Sequence, residues 1–73
     1  MHATETAVYQ PSFLEGARVR LVKENHSQNR KPAVVLRALP NPSQRAQHQW
    51  YDVQFDSGVY GRFLDRYLEP VVE

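Results

Sequence analysis

The chain has 73 residues, a formal net charge of +1 and no cysteine. Its length fits one small domain, the lack of cysteine excludes a disulfide framework and thiolate metal ligands, and no apolar run is long enough to cross a membrane. We therefore expect a cytoplasmic protein without a membrane partner.

The N-terminal segment is polar and lacks hydrophobic periodicity, so we predict a flexible tail at residues 1–12 and a single domain at residues 13–73. Residues 1–10 offer little apolar surface to bury, and their deletion should leave the thermal midpoint nearly unchanged. Phe13 begins the predicted domain, and Gly16 is predicted to occupy a turn.

Two strands are predicted in the first half of the domain. Residues 18–22 alternate between basic and apolar side chains, which is typical of a half-buried strand with Val19 and Leu21 facing inward. A polar loop separates this strand from residues 33–39, whose apolar run is more continuous and predicts the most buried strand. The core candidates of this second strand are Val34 and Leu36.

A β-hairpin is the strongest pattern in the sequence. Apolar and polar side chains alternate over residues 51–55, and a turn signal at residues 56–58 separates them from a second run at residues 59–64. A two-residue loop would put Arg62 on the apolar face, whereas a three-residue loop with a left-handed Gly58 keeps one face apolar. The second register is therefore predicted, and it pairs Phe55 with Val59, Val53 with Gly61, Tyr51 with Phe63 and Asp52 with Arg62.

The alternation ends after the hairpin. Residues 65–68 predict one turn of 3₁₀ helix with Asp65 as its cap, and Pro70 prevents any longer helix. Val71 and Val72 are predicted to form a short final strand. The whole order predicts an all-β fold, a small SH3-like barrel of about five strands with a short 3₁₀ turn before the last strand.

Three short motifs carry a resemblance to known small barrels. They are Phe13-x-x-Gly16-x-Arg18-Val19-Arg20, Tyr51-x-Val53-x-Phe55 and Tyr67-Leu68-Glu69-Pro70. Together they resemble the C-terminal domain of the nitrile hydratase β subunit, and in outline photosystem I reaction-centre subunit IV and the variable chain of ferredoxin–thioredoxin reductase. The resemblance implies an accessory barrel that docks on a larger protein.

The start of the domain is also similar to the type II dihydrofolate reductases, which act through a tetrameric pore lined by a V-Q-I-Y segment. The nearest string here is Val53-Gln54-Phe55, which lies before the hairpin turn. The strand after the turn carries Tyr60 and Arg62 but no glutamine. A reductase-like enzyme is therefore kept only as the third functional hypothesis.

The sequence contains no pattern that stands out as catalytic or metal-binding. His2, His26 and His48 lie in the tail and in two loops without ligand spacing around them. No serine lies in a nucleophile motif, and no glycine-rich loop is suited to phosphate. We therefore predict no cofactor and favour a protein that is not an enzyme.

Two candidate surfaces remain. The first is the outward face of the hairpin, because Trp, Tyr and Arg are enriched at binding hot spots; its residues are Trp50, Gln54, Tyr60 and Arg62. The alternative for Trp50 is packing over the barrel end, beneath the proline-rich loop at residues 40–43. The second surface is basic and consists of Arg18, Arg20, Arg30, Lys31 and Arg37.

The two surfaces lead to different functions. The first predicts a domain that binds a larger protein or forms a homo-oligomer. The second predicts a nucleic-acid-binding barrel, unless acidic side chains nearby compensate the basic ones in space. The low net charge favours protein binding over nucleic-acid binding.

Overall fold

The computed structural model describes residues 9–72. Its strands are β1 (Arg18–Leu21), β2 (Pro32–Ala38), β3 (Trp50–Phe55), β4 (Tyr60–Leu64) and β5 (Leu68–Pro70). Two 3₁₀ turns, at Ala46–His48 and Asp65–Tyr67, precede β3 and β5. The flexible tail predicted at residues 1–12 falls largely on residues 1–8, which lie outside the described residues, as does residue 73.

The five strands form one antiparallel sheet in the order β4-β3-β2-β1-β5. The strands β1 to β4 pair with their neighbours in chain order, and the second 3₁₀ turn then brings β5 back to pair with β1. The prediction of an all-β fold with about five strands and a 3₁₀ turn before the last one is confirmed. Within residues 9–72 there is no helix long and apolar enough to cross a membrane.

The core lies on one face of the sheet, and every strand contributes to it. Its buried apolar residues are Phe13, Val19, Leu21, Ala33, Val35, Tyr51, Val53, Phe55, Phe63 and Leu68. The rings of Phe55 and Phe63 meet edge to face, with centroids 5.9 Å apart. Gly61 is required beside them, because an added Cβ would lie 2.5 Å from the Phe63 ring.

The hairpin register predicted from the sequence is confirmed. Tyr51 lies opposite Phe63, and Val53 lies opposite Gly61. The Phe55 N–H donates to the Val59 carbonyl over 2.8 Å. This register leaves Gly58 with a φ of +96°, in the left-handed region that favours glycine.

We expect Gly58→Val to lower the free energy of unfolding by about 1 kcal/mol or more, because a β-branched residue resists positive φ. No atom lies within 4 Å of an added Cβ at Gly58, so the cost comes from the backbone and not from a clash. Gly58→Asn is the matched control, since asparagine tolerates this conformation better. Urea denaturation of both variants checks the prediction, and equal losses would contradict it.

The predicted core residues of β2 were wrong by one position. Ala33 and Val35 are buried, whereas Val34 and Leu36 are only half-buried and face the other side of the sheet. A continuous apolar run carries no alternation, so it cannot specify which residues face inward. Strand pairing instead decides which residues of β2 face the core, because Ala33 lies opposite Val19, a core residue of β1.

A β-bulge interrupts the pairing of β2 with β3. Val35 lies opposite Val53, but the next pair joins Arg37 with Asp52, so Leu36 is an extra residue. The bulge reverses the alternation along β2: Val35 faces the core before it, and Ala38 packs against the core after it.

The end of the chain also differs from its prediction. The last strand is Leu68–Pro70 rather than Val71 and Val72, because Leu68 lies opposite Leu21 of β1 and is buried. Asp65 does not cap the 3₁₀ turn, which has Leu64 in that position and no side-chain cap. The Asp65 carboxylate instead accepts a hydrogen bond from the Tyr51 hydroxyl over 2.9 Å.

Candidate functional site

The outward face of the β3–β4 hairpin holds the residues predicted for protein binding. Since Tyr51, Val53 and Phe63 face the core, their neighbours in the two strands face away from it. The outward residues form three cross-strand pairs, which are Trp50 with Leu64, Asp52 with Arg62 and Gln54 with Tyr60. We call this surface the hairpin face.

The two aromatic residues of the hairpin face are open to solvent. Trp50 is 43% exposed and Tyr60 is 68% exposed. Trp50 therefore does not lie buried beneath the proline-rich loop, although its carbonyl accepts a hydrogen bond from the Leu39 N–H over 2.9 Å. Both aromatic side chains remain available for contact with another molecule.

An ion-pair cluster lies between the two aromatic residues. The Asp52 carboxylate accepts from Nε of Arg62 over 2.7 Å and from Nε of Arg37 over 3.0 Å. The Arg62 hydrogen bond is the main cause that holds the pKa of Asp52 below its usual value. The pairing of Asp52 with Arg62 was predicted, whereas Arg37 reaches the same carboxylate because the bulge places it opposite Asp52.

A shallow open groove of about 390 Å³ runs beside this cluster. The groove is lined by Leu36, Asp52, Val53, Tyr60, Gly61 and Arg62. The bulge supplies Leu36, so the lining combines an apolar side chain with the charged residues Asp52 and Arg62. This combination is suited to a side chain or a short segment of a partner rather than to enclosing a small molecule.

The basic residues predicted for nucleic-acid binding are largely paired with acids. Both terminal nitrogens of Arg18 bind the Asp56 carboxylate, at 3.1 and 3.2 Å, and hold the pKa of Asp56 below its usual value. Arg20 lies 3.5 Å from Glu69. Together with Arg37, they show that much of the basic charge of the first half is compensated across the sheet by acids of the second half.

The remaining two members of the basic set, Arg30 and Lys31, form no ion pair among residues 9–72. They lie in and beside the loop that leads into β2, and the Arg30 N–H donates to the Leu21 carbonyl over 2.7 Å. The structure therefore does not bring the five basic residues together as one uncompensated surface.

A buried polar centre was missed by the sequence analysis. Gln49 is fully buried, and its side-chain amide donates to the carbonyls of Leu39 and Trp50, each over 2.9 Å. Its side-chain oxygen accepts from the Tyr9 hydroxyl over 3.0 Å and from the Asn41 amide over 3.4 Å. Extending the hairpin alternation back by one step would have placed Gln49 on the inward face.

Tyr51 forms a second buried polar contact. Its hydroxyl accepts from the Phe13 N–H over 3.3 Å and donates to the Asp65 carboxylate. Burial, and then the bond to Asp65, raise the pKa of Tyr51 to about 12. Both Tyr51 and Gln49 hold loops onto the sheet at the end where Trp50 begins the hairpin face.

The histidines have structural contacts where the structure describes them. Nδ1 of His26 accepts from the Gln28 N–H over 3.0 Å, and its ring meets Phe63 edge to face. Nδ1 of His48 lies 3.0 Å from Oγ of Ser43. His2 lies outside the described residues, and across residues 9–72 no three His, Cys, Asp or Glu side chains are grouped to hold a metal ion.

Comparisons with protein-family models, with curated proteins and with solved structures give no match to this chain. The resemblances to accessory barrels and to type II reductases therefore stay predictions from short motifs.

Proposed function

We propose that this chain is a non-enzymatic protein-binding domain that contacts a larger protein, or a second copy of itself, through the hairpin face. The exposure of Trp50 and Tyr60 on one side of the hairpin carries the proposal. Aromatic residues beside arginine are the composition most enriched at binding hot spots. The predicted cytoplasmic location and the accessory role belong to the same proposal.

The geometry of the ion-pair cluster supports this function. Arg62 and Arg37 are held against Asp52, so their guanidinium groups lie in a defined place before any partner arrives. A group that is already positioned loses less conformational entropy on binding. The two exposed aromatic rings flank this cluster and would supply most of the apolar contact.

Nucleic-acid binding has weaker support. Arg18, Arg20 and Arg37 are each paired with a carboxylate, and a paired arginine has less charge to offer a phosphate. A nucleic-acid-binding barrel is therefore the second candidate function, and charge reversal of Arg18 and Arg20 tests it.

We expect Tyr60→Ala to weaken association with the partner about tenfold or more without unfolding the domain, because the side chain is largely exposed. Leu14→Ala is the matched control, since Leu14 is 70% exposed but lies outside the hairpin. Partners are captured from the native host with the wild-type chain, and association of both variants is then measured by analytical ultracentrifugation or biolayer interferometry.

Two outcomes would contradict the proposal. If Tyr60→Ala and Leu14→Ala associate like the wild type, the hairpin face is not the contact surface. If charge reversal of Arg18 and Arg20 abolishes binding to single-stranded DNA or RNA near physiological salt, while Tyr60→Ala has no effect, the domain is a nucleic-acid-binding barrel.

A further inference from the structure

The β4 strand lies at an edge of the sheet, and half of its main-chain groups face away from it. Gly61 and Phe63 occupy the hydrogen-bonded positions opposite β3, in phase with the bond from Phe55 to Val59. Tyr60, Arg62 and Leu64 occupy the alternate positions, so their N–H and C=O groups point toward the outer side of β4. Among residues 9–72, no loop or turn hydrogen bond joins the N–H groups of these three residues, or the carbonyls of Tyr60 and Arg62, to another segment, whereas the Leu64 carbonyl begins the 3₁₀ turn that follows.

The opposite edge of the sheet is built differently. The β5 strand has three residues, Leu68–Pro70, and its hydrogen bonds to β1 place Leu68 and Pro70 at the outward positions. Pro70 has no N–H, so this edge cannot accept an added strand along its length. The β4 edge has five residues and no proline. It is the edge that remains open to pairing.

Charge at the β4 edge indicates what can pair with it. Arg62 and Arg37 share the single carboxylate of Asp52, so the cluster keeps a net positive charge beside the strand. Two copies of the chain could pair their β4 strands antiparallel about a two-fold axis. The register with the greatest overlap would place Arg62 of one copy directly opposite Arg62 of the other. Like charges directly opposite each other destabilise a strand pair, which disfavours a second copy and favours a segment that carries a carboxylate.

We propose that the β4 edge accepts an extended segment of a partner protein as a sixth strand, with an acidic residue of that segment beside Arg62. The inference rests on the proposed protein-binding function and specifies its mode. Main-chain bonds to Tyr60, Arg62 and Leu64 supply affinity, and alternate side chains supply specificity. The acidic side chain lies on the hairpin face, and its neighbours in the segment lie beside Gly61 and Phe63.

The probe for this mode is a five-residue peptide, Thr-Val-Glu-Val-Thr with blocked ends, and its control carries Lys in place of Glu. Amide hydrogen exchange of the whole chain is followed by NMR. With the Glu peptide at ten times its Kd, exchange of the Tyr60, Arg62 and Leu64 amides should slow about tenfold. The Gly61 and Phe63 amides already bond to β3 and should change little. The Lys peptide should bind at least about fivefold more weakly.

Leu64→Pro tests the edge without disturbing the ladder between β3 and β4. Leu64 has a φ of −71° and a ψ of 153°, which proline adopts, and the outward N–H is the one main-chain donor that the substitution removes. The matched control is Leu64→Val, which also shortens the side chain but keeps the N–H. We expect the proline variant to lose peptide binding about tenfold or more, and the valine variant to keep it within about twofold.

The outcomes separate this inference from the function on which it rests. If the Glu peptide fails to bind, or binds Leu64→Pro as well as Leu64→Val, strand addition at β4 is wrong, while the Tyr60→Ala experiment still decides the hairpin face. If the outward amides are already protected from exchange without peptide, the β4 edge already has an occupant. Loss of this protection on dilution would identify a second copy of the chain, and loss on deletion of residues 1–8 would identify the chain's own segment. Either occupant would overturn the proposal.

Discussion

Gln49→Ala is expected to lower the free energy of unfolding by about 3 kcal/mol, because the amide that it removes is fully buried and bonds in four directions. The Leu39 carbonyl would lose its donor, while the Trp50 carbonyl would keep only the Leu39 N–H, and an unsatisfied buried group costs about 1–3 kcal/mol. A small domain has about 5–15 kcal/mol in total. The loss is therefore about a fifth to more than half of that total, so the variant should unfold at a clearly lower urea concentration than the wild type.

The measurement is urea denaturation followed by the fluorescence of Trp50, the single tryptophan of the chain. Gln47→Ala is the matched control, because Gln47 is exposed in the adjacent 3₁₀ turn and should change stability by less than about 0.5 kcal/mol. Similar losses in the two variants would show that the Gln49 amide is not a stabilising centre. Tyr9→Phe isolates the bond that residue 9 contributes, which we expect to be worth about 1 kcal/mol. Because of this bond, deletion of residues 1–10 should lower the thermal midpoint, in contrast to the expectation from the sequence alone.

Tyr51→Phe is expected to cost about 2 kcal/mol near neutral pH, and this cost should disappear in strong alkali. The neutral hydroxyl donates to Asp65, and burial further disfavours the phenolate, so the pKa of Tyr51 rises from 10 to about 12. A raised pKa means that folding favours the protonated form. The contribution of Tyr51 is therefore fully present below pH 10 and is lost as the pH rises from 10 through about 12.

The free energy of unfolding is measured against pH for the wild type and for Tyr51→Phe, since the difference cancels all other titrations. Tyr60→Phe is the control, because the Tyr60 hydroxyl is exposed and has no hydrogen bond to residues 9–72. A constant difference between the wild type and Tyr51→Phe from pH 8 to 12 would contradict the assigned role of the hydroxyl.

The sequence was sufficient where polar and apolar residues alternate. In the hairpin, polar residues mark the outward positions and Gly58 marks the turn, so one register alone kept Arg62 out of the core. The outward position of Trp50 and Tyr60 followed from the same alternation. In β2 the outward positions are apolar as well. Pairing with β1 then decides which side chains face the core, and a local sequence pattern does not encode that pairing.

Two features of the site depended on contacts between distant segments. Gln49 is buried because Leu39, Asn41 and Tyr9 converge on its amide, and glutamine in a polar run usually indicates an exposed loop. Arg37 joins Asp52 only because a bulge shifts the register of β2. Neither a bulge nor a converging set of hydrogen bonds leaves a periodic signal in the sequence.

The bulge at Leu36 also determines how β2 can tolerate changes in chain length. At the bulge, β2 holds one residue more than the opposite stretch of β3, so one residue of β2 is not needed for the pairing. Loss of a single residue between Ala33 and Arg37 can be absorbed by making the pairing regular, and the flanking side chains keep their faces. The β3 strand has no extra residue. Deletion of one residue there would shift the register by one position and move the core side chains of half of the hairpin to the outward face.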